Sequence, residues 1–540
     1  MSPIEAITIG EVLEHVAPGQ TWRALACWPP DVFAVTGTIL ADTGVYRCVI
    51  CPPEGESWPP SNAMPGNPPW EESVRSDGTE WAVCVAAAAE TCADAETMAP
   101  ELPESVLLNC SILDGADRVA LESLDDKDSW QVASAILTLH AMADEACVGA
   151  GRQTDSWLQQ VALSALEETG SMSNLPADRV RVLPKLRPPD SGITVRSISH
   201  HLSLDRSEVH TNWLRPESVQ GARDDSERSK LTMLLIPYPS TVHASDFRSV
   251  ARPLLNMDQS RFGFYEYAPA ESLDLSMVVE LVETARSLAG SIDMVVLPES
   301  ALDESETPQL QRVLSDAGIP CLIAGVHRPA DQAGAFGANY AYIGGEGWQA
   351  VQHKHHRWCL DPSQIHQYHL GAALDPNQRW WEAIGIGRRS LNFVTIPDST
   401  DLTICPLVCE DLARPDPVTY VIRAVAPTLV VALLFDGPQL ASRWPARYAS
   451  VLADDPGCAV LTLTALGMAW RSQPAGFDPS RVIALWKDPH RGLQQITLAE
   501  GARAIALTAH RRDVEVTSAD GRTSANPVAE LVLSGIEQIP

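Results

Sequence analysis

Three short segments carry residues able to attack an amide carbon: VVLPES with Glu299, QHKHHR with Lys354 and LTICPLVCED with Cys409. The reactive form of a cysteine is its thiolate, so a catalytic thiol needs a base or a cation beside it. Cys409 stands where an apolar run ends in a charged CED turn, a place where a strand would fix the backbone and a turn expose the sulfur. Glu299 ends another apolar run, VVLPE. A carboxylate among apolar neighbours has a raised pKa and can take and return a proton near neutrality. The Lys354 ammonium would stabilise negative charge on a substrate oxygen, helped by the backbone N–H groups of Glu410 and Asp411. The chemistry is addition of sulfur to a carbonyl, loss of ammonia or an amine, and hydrolysis of a thioester by water. Cys405, inside the same apolar run as Cys409, reads as packing. Each residue alone has a plainer reading, as a solvated Glu or Lys or a core Cys; their order and shared placement at the ends of apolar runs favour chemistry.

The elements that must position them begin at Leu231. LTMLLIPYP, DMVVLPES, PCLIAGVH, NYAYIGG and QAVQHKHH read as successive strands, followed by NFVTIP, DLTICPLVC, TLVVALLFD and CAVLTLTAL. Amphipathic helices are expected at LDLSMVVELVETARSLAG, which ends at Gly290, and near 416–426 and 441–454. Strands mixed with helices predict an α/β layered domain over 231–510. VIALWKDP, QQITL and AIALTAH supply its final strands, and 511–540 reads as a polar peripheral hairpin or tail.

The preceding 230 residues offer no catalytic constellation. Apolar, β-branched runs between WPPD, ADTG and PPEGESWPP predict a β-rich region over 1–125 with a long loop at 57–77. DSWQVASAILTLHAMADEACVGAG and DSWLQQVALSALEETG then predict two capped helices within 126–175, the first ending at Gly149 or Gly151. Polar, proline-containing 176–230 reads as a connector with one short helix at most. His140, Asp144 and Glu145 on the first helix could be read as metal ligands, but a lone His beside acids is more often solvated or satisfied. His200, His201 and His210 lack partners at ligand spacing and fit surface or interface roles.

Composition narrows the function. A chain of 540 residues is expected to hold two or three folding units. A net charge of −30 argues against a broad phosphate-binding surface, hence against direct nucleic-acid binding. No segment approaches the roughly 20 uninterrupted apolar residues that span a bilayer, and MSPIEAITIGEVLEHVAPG has no secretory pattern. The 12 cysteines follow no disulfide rhythm, so the cytoplasm is the expected compartment. The CxxC of Cys48 and Cys51 reads as two half-buried strand cysteines rather than a metal or redox site.

The order Glu299, Lys354, Cys409, with a PE step after an apolar strand, resembles the nitrilase (carbon–nitrogen hydrolase) superfamily over roughly residues 230–510. The resemblance implies a four-layer α-β-β-α sandwich preceded by a smaller α+β N-terminal region. It implies cleavage or formation of non-peptide carbon–nitrogen bonds in small amides, without metal or cofactor. Glu299 would be general base, Lys354 oxyanion stabiliser and Cys409 nucleophile. The CED form around Cys409 looks more like the glutaminase domains of glutamine-dependent NAD synthetases than the CYD form of many simple amidases. Downstream, Trp444 and Arg447 would line or brace the pocket.

Many members carry a second Glu soon after the lysine. Here HHRWCLDPSQIHQYHLG offers Asp361, Gln364 and Gln367 but no Glu, and Glu382 in RWWEAIG is the alternative if that insert folds back. The histidines around Lys354 (His353, His355, His356, His366, His369) could suggest zinc, but alternation on a strand and the intervening lysine speak against it. ALLFDGPQLASRWPARYASVLADDPG and LHAMADEACVGAG faintly resemble nitrilase-like proteins linked to bacterial antiviral reverse transcriptases, which would imply a defence role. A ligand-binding or scaffold component with little turnover and an N-acyltransferase are therefore the alternatives to an amidohydrolase. A low-pKa Cys409 would label faster with iodoacetamide than the other cysteines. Homo-oligomers are implied by the resemblance, and the apolar Val418, Val421, Ile422 and Val425 beside TLVVALLFD supply a surface for them.

Overall fold

The structure, a computed structural model, describes all residues except 1–6, 60–68, 92–99, 152–155, 191, 217–228, 251–257, 259, 331–334, 388, 397–401 and 474–478. The chain forms two compact units. One comprises Met1–Glu208, Tyr420–Ala426 and Asp513–Val528; the other comprises Val209–Thr419, Pro427–Arg512 and Ala529–Pro540.

The second unit is mixed α/β. One seven-stranded sheet runs, edge to edge, Trp348–His353, Ala338–Gly345, Cys321–Arg328, Met294–Asp303, Lys230–Leu235, Ala504–Val514 and Val528–Ile539. The other runs Gln494–Thr497, Val482–Lys487, Ala459–Thr464, Leu429–Leu434, Thr403–Val408, Ser390–Thr395 and His210–Leu214. Their central strands pair in parallel and are buried except at end residues such as Lys230, Asp303 and Arg328; LVVALL and TICPLV are wholly buried. Continuous apolar strands of this kind belong to sheets covered on both faces. Residues of the Met294–Asp303 and Ala338–Gly345 strands lie against the Leu429–Leu434 and Thr403–Val408 strands. Helix Leu275–Ala289 buries Val278, Leu281, Val282 and Ala285 against the first sheet, and helix Trp444–Asp454 lies on the second. A four-stranded sheet (Cys359–Leu360, Arg379–Glu382, Phe262–Tyr267, Phe247–Val250) adds an aromatic cluster that includes Phe247, Tyr267 and Phe435.

Two expectations change within this unit. The expected connector contributes His210–Leu214, which pairs in parallel with Ser390–Thr395. The expected polar tail ends in Val528–Ile539, an edge strand of the first sheet. HTNWL alternates as a half-covered edge strand, and VAELVLSGIEQI is buried in its first half and largely open in its second, weaker signals than an apolar run.

The first unit corrects the β-rich reading of 1–125. Its described elements there are helices: Ile9–Val16, Trp22–Leu25, Pro29–Thr43, Trp70–Thr91 and Glu104–Asp114. PPDVFAVTGTILADT is a helix whose two prolines occupy its first turn, where no N–H partner is lost. It is buried from Pro29 to Leu40, so no polar face reveals the helical period, and a short apolar run cannot be assigned by periodicity alone. Cys48 is buried and Cys51 exposed around a 3-10 turn, not a strand. The expected 57–77 loop is in part the first turns of Trp70–Thr91, and its centre lies outside the described residues. Trp130–Ala146 and Trp157–Thr169 form as expected, though the former stops at Ala146, short of Gly149. Part of the connector is a two-stranded ribbon, Arg181–Pro184 with Leu202–Asp205, and 217–228 lies outside the described residues.

The acids of Trp130–Ala146 are structural, and they are buried rather than solvated. Asp144 accepts the backbone N–H groups of His200, His201 and Leu202 at 2.6, 2.9 and 2.9 Å. Arg522, fully buried, reaches Glu145 at 2.6 Å and Asp520 at 2.7 Å. His140 meets the Thr36 hydroxyl at 3.1 Å. His200 is buried, against the surface role expected for it. Val418, Val421, Ile422 and Val425 are also fully buried, as are all six residues of Leu429–Leu434, so they offer no surplus surface for self-association.

Candidate active site

Glu299 and Lys354 are carried by strands of the first sheet that have Cys321–Arg328 and Ala338–Gly345 between them. Glu299 lies within the Met294–Asp303 strand, where pairing with Cys321–Arg328 shifts register between Leu297 and Leu302. Ser300 takes a φ of 57° in that bulge, a left-handed conformation held only by over-determining surroundings. A Cβ at Gly325 would overlap the Glu299 Cα and the Pro298 carbonyl oxygen, so glycine there is required by the close approach of the two backbones. Lys354 follows the Trp348–His353 strand, its N–H bonded to the Asn339 carbonyl at 2.9 Å.

Cys409 ends the Thr403–Val408 strand of the second sheet and begins a 3-10 turn, Cys409–Ala413. Its φ of 45° turns the chain sharply at the thiol. Gln352, fully buried, ties the sheets together at this level: its amide donates to the Pro406 carbonyl and its oxygen accepts the Asn392 N–H at 2.9 Å.

The side chains converge. Lys354 Nζ donates to Glu299 Oε1 at 2.8 Å and to Glu382 Oε2 at 2.7 Å. Asn339 Nδ2 bridges the same two carboxylates at 2.7 Å each, and the Trp358 N–H caps Glu382 at 2.9 Å. The 359–382 insert does fold back: its Arg379–Glu382 strand pairs with Phe262–Tyr267 and brings the second carboxylate to the lysine. Asp361 and Gln364 instead close a capping box on the short helix Pro362–Gln367, and Gln367 donates to the Ser472 hydroxyl.

Electrostatics follow from burial. Glu299 is held above the usual carboxylate range, chiefly by burial and then by Glu382, against the pull of Lys354. Burial would lower the Lys354 pKa, but Glu299 and Glu382 outweigh it and keep the ammonium charged. The Cys409 thiol lies within electrostatic reach of both Glu299 and Lys354. Burial and the Glu299 charge push it well above its ordinary value, and Lys354 offsets only part of this. This direction is opposite to the low pKa expected of the thiol. Cys409 is 3% exposed. Cys405 is fully buried inside the strand.

Other expected site residues divide. Asp411 is turned to its neighbours: its buried carboxylate accepts the His355 N–H at 3.0 Å and meets His356 Nδ1 at 2.9 Å, clamping the Cys409 turn to the segment after Lys354. Glu410 pairs with Arg414. The Trp444 indole N–H binds Asp436 Oδ2 at 2.9 Å. Arg447 is exposed on the same helix; the arginine that braces this region is Arg443, 2.8 Å from Asp436. Tyr368 also donates to Asp436, whose charge acts on the Cys409 thiol. Sequence reasoning missed Asn339, Tyr368, Asp436 and Arg443, because a polar residue inside or just after an apolar run carries no spacing signal. Of the remaining histidines, His355 Nε2 meets the Ser390 carbonyl at 2.9 Å, His353 packs on Tyr340, and His366 and His369 lie on the surface.

A cavity of about 30 Å³ adjoins Glu299, Asn339 and Glu382, walled by Phe247, Tyr265, Tyr267, Trp358 and Phe435.

No family model and no curated protein matches the chain. Solved structures similar to it include an amidase from Nesterenkonia sp., at 14% identity and TM-score 0.30 over 49% of this chain and 86% of that one. A mutant of the Nesterenkonia AN1 amidase, described as from the nitrilase superfamily, matches at 14% identity and TM-score 0.31 over 49% and 87%. Saccharomyces cerevisiae Nit3, described as a member of branch 10 of the nitrilase superfamily, matches at 10% and 0.31 over 51% and 87%. No helix among the described residues is long and apolar enough to cross a membrane.

Proposed function

We propose that the protein is a thiol-dependent amidohydrolase of nitrilase type, acting on a small amide through a Cys409 thioester. The two seven-stranded sheets and their flanking helices are read as the α-β-β-α sandwich of that superfamily. The observation that carries the proposal is the fully buried Lys354 ammonium bridging Glu299 and Glu382 within electrostatic reach of a thiol held at positive φ.

Glu299 Oε1 is engaged by Lys354 and Asn339, whereas its buried Oε2 has no partner among the described residues. That oxygen takes the thiol proton as sulfur adds to the substrate carbonyl. Lys354 has three N–H donors and spends two on Glu299 and Glu382; the third stabilises the developing oxyanion. Glu299 returns the proton to the leaving nitrogen, ammonia or an amine departs, and the thioester remains. Water then loses a proton to Glu299 and adds to the thioester; the acid leaves, and the proton returns to sulfur. Glu382 keeps Lys354 charged, so the amine serves as a donor rather than a second base. Release of ammonia from a panel of small amides tests the reading, and trapping by hydroxylamine, which converts the thioester to a hydroxamate, tests the covalent intermediate.

The pH dependence has a definite sign. Glu299 accepts the first proton only when ionised, and its pKa is raised. Activity is therefore expected to rise with pH through a limb lying above the ordinary glutamate value of about 4.3. A kcat/KM profile that stays flat down to pH 4 removes Glu299 as the base.

Self-association belongs to the same proposal, with the apolar surface first offered for it now known to be internal. Light scattering at micromolar concentration is expected to show a dimer, and a monomer removes it.

A further inference from the structure

A second cavity, of about 660 Å³, is lined by chain neighbours of Lys354, Glu382 and Cys409: His355, His356 and Arg357, then Trp381, then Arg414 to Asp416. Glu299, Lys354, Glu382 and Cys409 themselves do not line it. Successive side chains of a strand point to opposite faces, so Trp381 stands on the face of Arg379–Glu382 that Glu382 turns away from. Trp381 pairs with Phe264 across the parallel register, and both rings line the cavity.

The charge of this lining is unusual for a chain of net charge −30. It holds two guanidinium groups and two imidazoles against one carboxylate, Asp416. Arg414 is paired with Glu410. Arg357 is not paired: its Nε–H donates to the Ile384 carbonyl at 2.8 Å and its Cζ lies 4.7 Å from the centroid of the Phe336 ring. Its terminal amino groups have no partner among the described residues. Burial lowers the Arg357 pKa, and Glu382 is the one acid that offsets this. A half-buried guanidinium without a counter-charge attracts a carboxylate or a phosphate, which its planar fork fits in bidentate fashion.

The rest of the lining selects a flat body with hydrogen-bonding edges. Trp381 Nε1 and His355 Nδ1 are buried without a hydrogen-bond partner among the described residues, and His355 is 3% exposed. The indole N–H only donates. His355 Nε2 gives its hydrogen to the Ser390 carbonyl at 2.9 Å, and burial favours the neutral ring, so Nδ1 accepts. Buried polar atoms are rarely left unpaired, so the ligand must bring both an acceptor and a donor. To cover Phe264 and Trp381 it must also be flat. Inorganic phosphate and aliphatic carboxylates lack the flat body; a nucleobase carrying a phosphate has every part. The volume fits, since small-molecule sites run to about 300–1,000 Å³.

We propose that this cavity binds a nucleoside 5′-monophosphate, its phosphate at Arg357 and its base against Trp381 and Phe264 with an edge towards His355. The site does not rest on the amidohydrolase reading. AMP, GMP, CMP and UMP are titrated by calorimetry into the full-length protein, with the matching nucleosides and ribose 5-phosphate as probes that each lack one part. At least one nucleotide is expected to bind at least about tenfold more tightly than its nucleoside and than ribose 5-phosphate. Arg357→Gln is expected to bring that nucleotide down to its nucleoside. Trp381→Phe is expected to weaken the nucleotide and leave ribose 5-phosphate unchanged, with melting temperatures reporting that the variants keep their fold. No binding of any nucleotide, equal affinity for ribose 5-phosphate, or affinities untouched by both variants overturns the inference. Cys409→Ala is expected to keep the nucleotide affinity; its loss there would place the ligand in the catalytic cavity and overturn the inference too. A protein that binds a nucleotide and releases no ammonia from any amide loses the amidohydrolase reading and keeps this site. Ammonia release without nucleotide binding does the reverse.

Discussion

Cys409→Ala is expected to abolish amide turnover, by at least about ten-thousand-fold, while the protein keeps its fold. Removing the nucleophile leaves no group able to form the thioester, since Cys405 is enclosed within the Thr403–Val408 strand and directed away from any solvent. The structural cost is small: one buried sulfur is lost at a position whose backbone is already strained, about 1 kcal/mol. Cys405→Ala supplies the contrast, with a similar stability cost and turnover largely retained. Ammonia release and thermal melting on the two variants check this. Equal loss of activity in both, at unchanged melting temperature, would mean that the wrong cysteine or the wrong mechanism had been chosen.

The second large effect is on stability as well as activity. Lys354→Met removes the one cation that Glu299 and Glu382 share. Lys354 has no exposed side-chain surface, and its partners expose only 2% and 12% of theirs. Breaking a buried pair from one side typically costs about 3–5 kcal/mol, because the remaining carboxylate must stay charged without a partner or take up a proton. The sign with pH follows. Without the lysine, the folded-state pKa of Glu299 rises further above its unfolded value. Such a group is least costly below the unfolded pKa, about 4.3, and stability is lost as pH rises through the folded pKa. The variant should therefore be closest to the parent near pH 4 and furthest from it near pH 8. Denaturant midpoints at both pH values measure the difference; a gap that is independent of pH would show that Lys354 serves packing rather than charge.

The placement of Cys409 was legible because it closes a fully buried parallel strand, the most conspicuous pattern a sequence offers. Glu299 instead lies inside its buried strand and Lys354 follows a half-exposed antiparallel edge strand, so neither closes an apolar strand as expected. Cys405 and Cys409 could be told apart for the same reason, one inside the run and one at its end. The α/β character of 231–510 was legible on the same grounds. The helical character of the first unit was not: Pro29–Thr43 is enclosed on all sides, so the polar face that would disclose its period is missing.

Only the tertiary structure decided that Glu382, 28 residues after Lys354, completes the charge balance of the site. The pairing of Arg379–Glu382 with Phe262–Tyr267 is a long-range register, and nothing local in RWWEAIG announces it. The same holds for Arg443 in place of Arg447. Both flank Trp444 in sequence, but Arg443 caps the helix facing Asp436, whereas Arg447 lies one turn on along its exposed side. Sequence spacing determines which side chains share an element and a face. Which charges end up beside one another in the dark interior depends on how those faces are brought together, because the energy of a buried charge is set by neighbours distant in the chain.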